Sequence, residues 1–159
     1  MTDLREFLTQ IVLLITATTL FYMAMTDLRE FKIRNPLVVV LACLFGIYAF
    51  LSGTWVTAYW NVGFALVMFI VMLFFYSRNW LGGGDVKILT VAFLWVGIRY
   101  ALPFTLLLMI FAVIHVVLAE KLKWAAVRHT EGRARIPFAP SIAAALIGVF
   151  ALRWGGLLI

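Results

Sequence analysis

Apolar runs, all but one of them near bilayer-crossing length, follow one another along nearly the whole chain, at about 7–25, 36–52, 58–76, 86–98, 102–119 and 138–157. A hydrocarbon core ~30 Å thick needs roughly 20 apolar residues per helical crossing. Lipid cannot satisfy backbone polar groups, so a crossing segment is a helix or part of a closed barrel. These runs are continuously apolar rather than alternating, which excludes the barrel pattern. With 65% hydrophobic and only 13% charged residues in 159, no stretch remains for a separate soluble domain. The expected fold is therefore all-α: a polytopic membrane bundle of about six transmembrane helices forming a single domain over residues 1–159. The first run is expected to stay in place as a span. Asp3, Arg5 and Glu6 precede it instead of a purely basic leader, and no Ala-x-Ala-like cleavage site follows.

Charge gives an orientation. Arg29, Lys32 and Arg34 lie in the first connection, Arg78 and Lys87 in the third, and Lys121, Lys123, Arg128, Arg133 and Arg135 in the fifth. The other side carries only Arg5, Arg99 and Arg153. The positive-inside rule then places connections one, three and five in the cytoplasm and both termini outside. The net charge of +6 is thereby a topology signal, and no nucleic-acid partner is needed to explain it.

Two acids stand out against this background. Asp85 follows Gly82, Gly83 and Gly84 where an apolar run begins, and Asp27 sits just past the end of the first run. Both fall on the cytoplasmic side of the predicted topology. The run from Val86 to Ile98 would rise only ~20 Å as a helix, less than the core thickness, before Arg99, Tyr100 and Pro103. Asp85 is therefore expected to be recessed, lining a wet cavity, because non-helical backbone at membrane depth is tolerated only there or inside protein. The glycines are expected to serve through positive φ and close backbone approach.

Asp27-Leu28-Arg29 with Ile33 and Asn35, Gly82 to Lys87, Leu94-Trp95-Val96-Gly97, and Ile136-Pro137-Phe138-Ala139-Pro140 together resemble the type IV prepilin peptidases. The likeness is closest to the small single-domain form associated with tight-adherence (Flp-type) pili. One departure is Ile33-Arg34-Asn35-Pro36, where that family usually shows Ile-Pro-Asn. The resemblance implies an aspartyl endopeptidase of the bacterial inner membrane that removes the short basic leader from prepilins or pseudopilins at the cytoplasmic face. It also implies Asp27 and Asp85 as the catalytic pair.

The chemistry of the residues agrees. Amide hydrolysis needs one group to take a proton from water and another to give a proton to the carbonyl oxygen or departing nitrogen. Two carboxylates in one site can do both, because their repulsion keeps one protonated while the other is ionised. No metal and no cofactor is expected. Asn35, Gly82, Gly83 and Gly84 are expected to shape the site. Lys87 is either a positive-inside anchor or a cation that steadies the pair or meets an acidic substrate group.

Other features point less sharply. His115 lies within a run and is expected to hydrogen-bond another helix, a functional role being the alternative. The single Cys43 allows no internal disulfide and no zinc set, so the cysteine-rich methyltransferase region of larger relatives is expected to be absent. The segment 120–135, with Trp124 among basic residues, reads as an interfacial segment attracted to anionic lipid, or as a guide for substrate. Ser141 with Ala145, and Ala144 with Gly148, form small-x-x-x-small pairs that allow close helix approach. Met1 to Phe7 recurs identically as Met25 to Phe31, which places Asp3 in the local sequence of Asp27. One crossing separates the copies, so Asp3 is expected to be non-catalytic. Two other readings remain open on sequence: a small proton-coupled transporter with Asp27, Asp85 and His115 as relay groups, and a related Gly-x-Gly-Asp intramembrane protease with other substrates.

Overall fold

The structure, a computed structural model, describes residues 2–121, 128–130, 133–135 and 137–157. Among these, five helices follow in order: α1 (Thr2–Glu30), α2 (Asn35–Ser52), α3 (Trp55–Ser77), α4 (Gly83–Lys121) and α5 (Ala139–Trp154). A short antiparallel hairpin, β1 (Arg128–Thr130) and β2 (Arg133–Arg135), lies between α4 and α5. The first four helices are long and apolar enough to cross a membrane. The expected helical membrane protein is thus present, but the count is five helices, not six. The expected lipid-facing segment 120–135 lies, apart from its ends and the two strands, outside the described residues, Trp124 included.

The difference in count has a local cause. The fourth and fifth expected spans run together as α4, because only Arg99, Tyr100 and Ala101 stand between them and no polar linker ends the helix. Gly97, at φ 59 and ψ −173, breaks the helical backbone inside it. That break turns the chain back on itself. The Phe93 and Phe104 rings lie 5.4 Å apart, whereas a straight helix would separate them by about 16 Å. Asn61 of α3 packs into the break, its Nδ2 donating to the Leu94 carbonyl at 3.2 Å, a carbonyl next to the interruption.

Gly97→Ala is therefore expected to be strongly destabilising. A methyl group there would overlap the Asn61 side-chain amide, and φ 59 combined with ψ −173 is a backbone region essentially confined to glycine. Strained backbone of this kind costs about 1–3 kcal/mol before any clash is counted. Thermal unfolding in detergent should show a clearly lowered midpoint, and an unchanged midpoint would contradict the reversal at Gly97.

The core lies where α4 and α5 meet α1 and α2. Leu20, Met23, Leu41, Ile88, Phe104, Ile142 and Leu146 are all buried. Trp95 stacks edge-on against Phe45 and Phe150 and donates its indole N–H to the Leu41 carbonyl at 3.0 Å. This ties α4 to α2 with the buried donor satisfied. On α5, Ser141 and Ala145 are buried, and a Cβ on Gly148 would meet Leu107 at 3.2 Å. The small residues thus bring α5 close against α4, as small-x-x-x-small spacing favours. In α1, buried Thr16 returns its hydroxyl to the Val12 carbonyl at 2.8 Å, so a polar side chain adds no unpaired donor to an apolar helix. Helix α3 buries only Ala65 and exposes Val56, Tyr59, Trp60, Leu66 and Ile70. A helix so apolar on its outer face suits lipid as its surroundings.

Candidate active site

The sequence places Asp27 beyond the first apolar run, but α1 continues to Glu30 and carries Asp27 on its last full turn. There Asp27 is 5% exposed. A carboxylate so enclosed needs hydrogen-bond donors, and the first residue of α5 supplies one: the Ala139 N–H donates to Asp27 Oδ2 at 3.1 Å. Helix N-termini leave such N–H groups free and carry partial positive charge, so they favour a carboxylate.

Asp85 stands in the first turn of α4, where its carboxylate lies close against Gly82. The expected glycine loop is corrected in two respects. Gly83 and Gly84 already belong to the helix, and none of the three glycines has positive φ. Their use is close approach. A Cβ on Gly82 would lie 2.8 Å from Asp85 Oδ2, and one on Gly84 would lie 3.2 Å from Ile33 Cδ1. Glycine at 82 leaves the carboxylate its place, and glycine at 84 lets Ile33 close over the helix start.

Asp27 and Asp85 line one cavity of about 700 Å³ and are near enough for their charges to act on each other. Its walls combine the end of α1 with Phe31 and Ile33, the end of α3 and its connection with Tyr76, Asn79 and Trp80, and Pro137 and Phe138 before α5. Two wall residues have left-handed backbone, Phe31 at φ 53 and Asn79 at φ 58. Asn tolerates that region, whereas a bulky aromatic does so rarely. Phe31 holds it as the residue that ends α1, its N–H donating to the Asp27 carbonyl at 2.9 Å.

Lys87 and Asn35 come together but outside the cavity. Lys87 Nζ donates to Asn35 Oδ1 at 2.9 Å, and both are exposed. They brace the start of α4 against the start of α2. The departure at Arg34-Asn35-Pro36 is absorbed by this helix start: Arg34 precedes α2 with extended backbone, Pro36 occupies its first turn, and Arg34 pairs with Glu30 at 2.9 Å. His115 does bond another helix, its Nδ1 lying 3.2 Å from Ser141 Oγ, and its ring lies near enough to Asp27 for the two to interact electrostatically. Asp3 belongs to the same continuous helix as Asp27, about 36 Å along its axis at 1.5 Å per residue.

Sequence reasoning did not identify the Ala139 N–H or the aromatic wall of Phe31, Tyr76 and Trp80, and it grouped His115 with Asp27 only in the transporter reading. Trp80 alone carried a readable signal, as an aromatic ring two residues before Gly82. The other contacts join residues far apart in the chain.

The sequence model of the type IV leader peptidase family matches residues 14–117, which take in both aspartates and all three glycines. No curated protein and no solved structure matches the chain.

Proposed function

The chain belongs to the type IV leader peptidase family, and on that premise we propose that Asp27 and Asp85 form the pair that hydrolyses the leader bond. The family makes the chain an aspartic-type prepilin peptidase, a hydrolase. The observation that carries the assignment is the shared cavity: carboxylates from the last turn of α1 and the first turn of α4 open into one space.

In this mechanism the ionised carboxylate takes a proton from water as the water oxygen attacks the scissile carbonyl carbon. The protonated partner gives its proton to the carbonyl oxygen, forming a gem-diol; the carboxylate that took the water proton then passes it to the departing nitrogen while a gem-diol hydroxyl returns its proton to the partner, the C–N bond breaks, and an amine and a carboxylic acid, which ionises, leave. The two groups titrate as a unit, so base and acid are roles of the pair. Gly82, Gly83 and Gly84 hold the cavity open beside Asp85, and the Lys87–Asn35 brace fixes the helix that carries it. The substrate is a prepilin or pseudopilin. Its basic leader stays at the cytoplasmic face of the inner membrane, and its apolar helix rests in lipid beside the bundle.

The test is cleavage of a prepilin by the full chain in liposomes across pH. Rate should fall at low pH, where both carboxylates are protonated, and again at high pH, where both are ionised, giving a bell. A chelator should leave it unchanged. Activity lost to a chelator and restored by zinc would refute the two-carboxylate mechanism.

Orientation is open to a separate experiment. In a Cys43→Ala background, cysteine replacing Asp3 should label from outside intact cells, whereas cysteine replacing Arg29 should label only after the inner membrane is opened. Asp3→Asn should cleave at close to the wild-type rate. Cytoplasmic labelling at position 3 would reverse the proposed topology.

A further inference from the structure

A second cavity, of about 970 Å³, lies at the end of the bundle away from the two aspartates. Its walls come from the first half of α1 and the second half of α5, and Leu14, Ala17, Ile147 and Phe150 make them largely apolar. Along α1 the cavity reaches from Phe7 to Ala17, about 15 Å of helix. That is half of a ~30 Å hydrocarbon core, the depth of one leaflet.

At this apolar wall stands a cation. The Arg153 guanidinium donates to Tyr48 Oη at 3.3 Å and lies 4.8 Å from the centre of the Tyr100 ring. A second guanidinium, Arg99, lies 5.5 Å from the same ring. Neither pairs with a carboxylate among the described residues, where the ion pair is Arg34 with Glu30. An aromatic face attracts each cation but neutralises neither, and two like charges gathered on one ring create a local potential that draws an anion. Guanidinium forks match phosphate oxygens in geometry and charge.

We propose that this cavity binds an anionic phospholipid, with an acyl chain between α1 and α5 and its phosphate held by Arg153, to whose positive potential Arg99 adds from beyond the cavity wall. The apolar wall of one-leaflet depth selects a lipid over free phosphate, which would use only the guanidiniums. In the proposed topology this is the outer leaflet, across the membrane from the catalytic cavity, and the inference does not depend on the assignment of the aspartates.

The experiment is lipid retention by the full chain in neutral detergent, read by native mass spectrometry and by the thermal midpoint. The probes are phosphatidylglycerol, phosphatidylcholine and inorganic phosphate. One phosphatidylglycerol should be retained per chain and should raise the midpoint, whereas phosphatidylcholine should bind about tenfold more weakly and inorganic phosphate should have no effect. Arg153→Gln should weaken phosphatidylglycerol about tenfold, as expected for one charge-assisted hydrogen bond. Lys32→Gln, at the other end of the bundle, should not. Since Arg153 also holds Tyr48, Ala17→Trp provides a second test that fills the apolar wall and leaves both guanidiniums intact; it too should lose the lipid. Equal retention of both lipids, or unchanged phosphatidylglycerol retention in Ala17→Trp, would overturn the proposal. Inorganic phosphate reproducing the full effect would overturn the lipid as occupant.

Discussion

Asp27→Asn and Asp85→Asn are each expected to lower prepilin cleavage by about 10³-fold, within the range attributed to a positioned acid or base, while the protein still inserts and folds. Asparagine keeps the size of the side chain and removes the titrating proton. At position 27 the amide oxygen can still accept the Ala139 N–H that now reaches Oδ2 at 3.1 Å, so the junction of α1 and α5 should persist. Cleavage followed by gel shift, with the thermal midpoint measured on the same preparations, separates chemistry from folding. Near-normal turnover in either variant would remove that residue from the mechanism.

Gly82→Ala should produce the second largest effect, by a different route. The new methyl group would stand 2.8 Å from Asp85 Oδ2. That oxygen is the far end of a rotatable side chain, so the carboxylate can swing away at small cost to folding. The displaced carboxylate no longer faces Asp27 in the same geometry, and a misplacement of about 1 Å can cost about 10²-fold in rate. The expected result is a midpoint close to wild type with turnover reduced about a hundredfold. Gly84→Ala meets only the Ile33 side chain at 3.2 Å and should lose less activity. Full turnover in Gly82→Ala would show that the exact position of the Asp85 carboxylate is unimportant.

The two predictions rest on features of different legibility. Membrane-spanning helices could be read from the sequence because lipid leaves an uninterrupted apolar run few other solutions. The observed α2 and α3 lie within a few residues of the expected 36–52 and 58–76. The motifs also pointed to the two aspartates, since a carboxylate beside an apolar run requires an explanation that local sequence can supply.

The rest depends on contacts that no local pattern records. Gly97 reads as one more small residue in an apolar run, and only the packing of Phe93 on Phe104 and of Asn61 on Leu94 reveals that it reverses α4. The donor to Asp27 is a backbone N–H, which every residue but proline possesses. Its selection follows from α5 beginning against the end of α1, 112 residues away in sequence. Lys87 looked like a neighbour of Asp85 along the chain, but a helix turns successive side chains to different faces, and it points to Asn35 instead. The sequence by itself determined that the chain forms apolar helices and which acids need an explanation, because solvation acts on each residue where it stands. Only the tertiary structure decided which groups meet those acids, because that depends on where helices distant in sequence come to lie side by side.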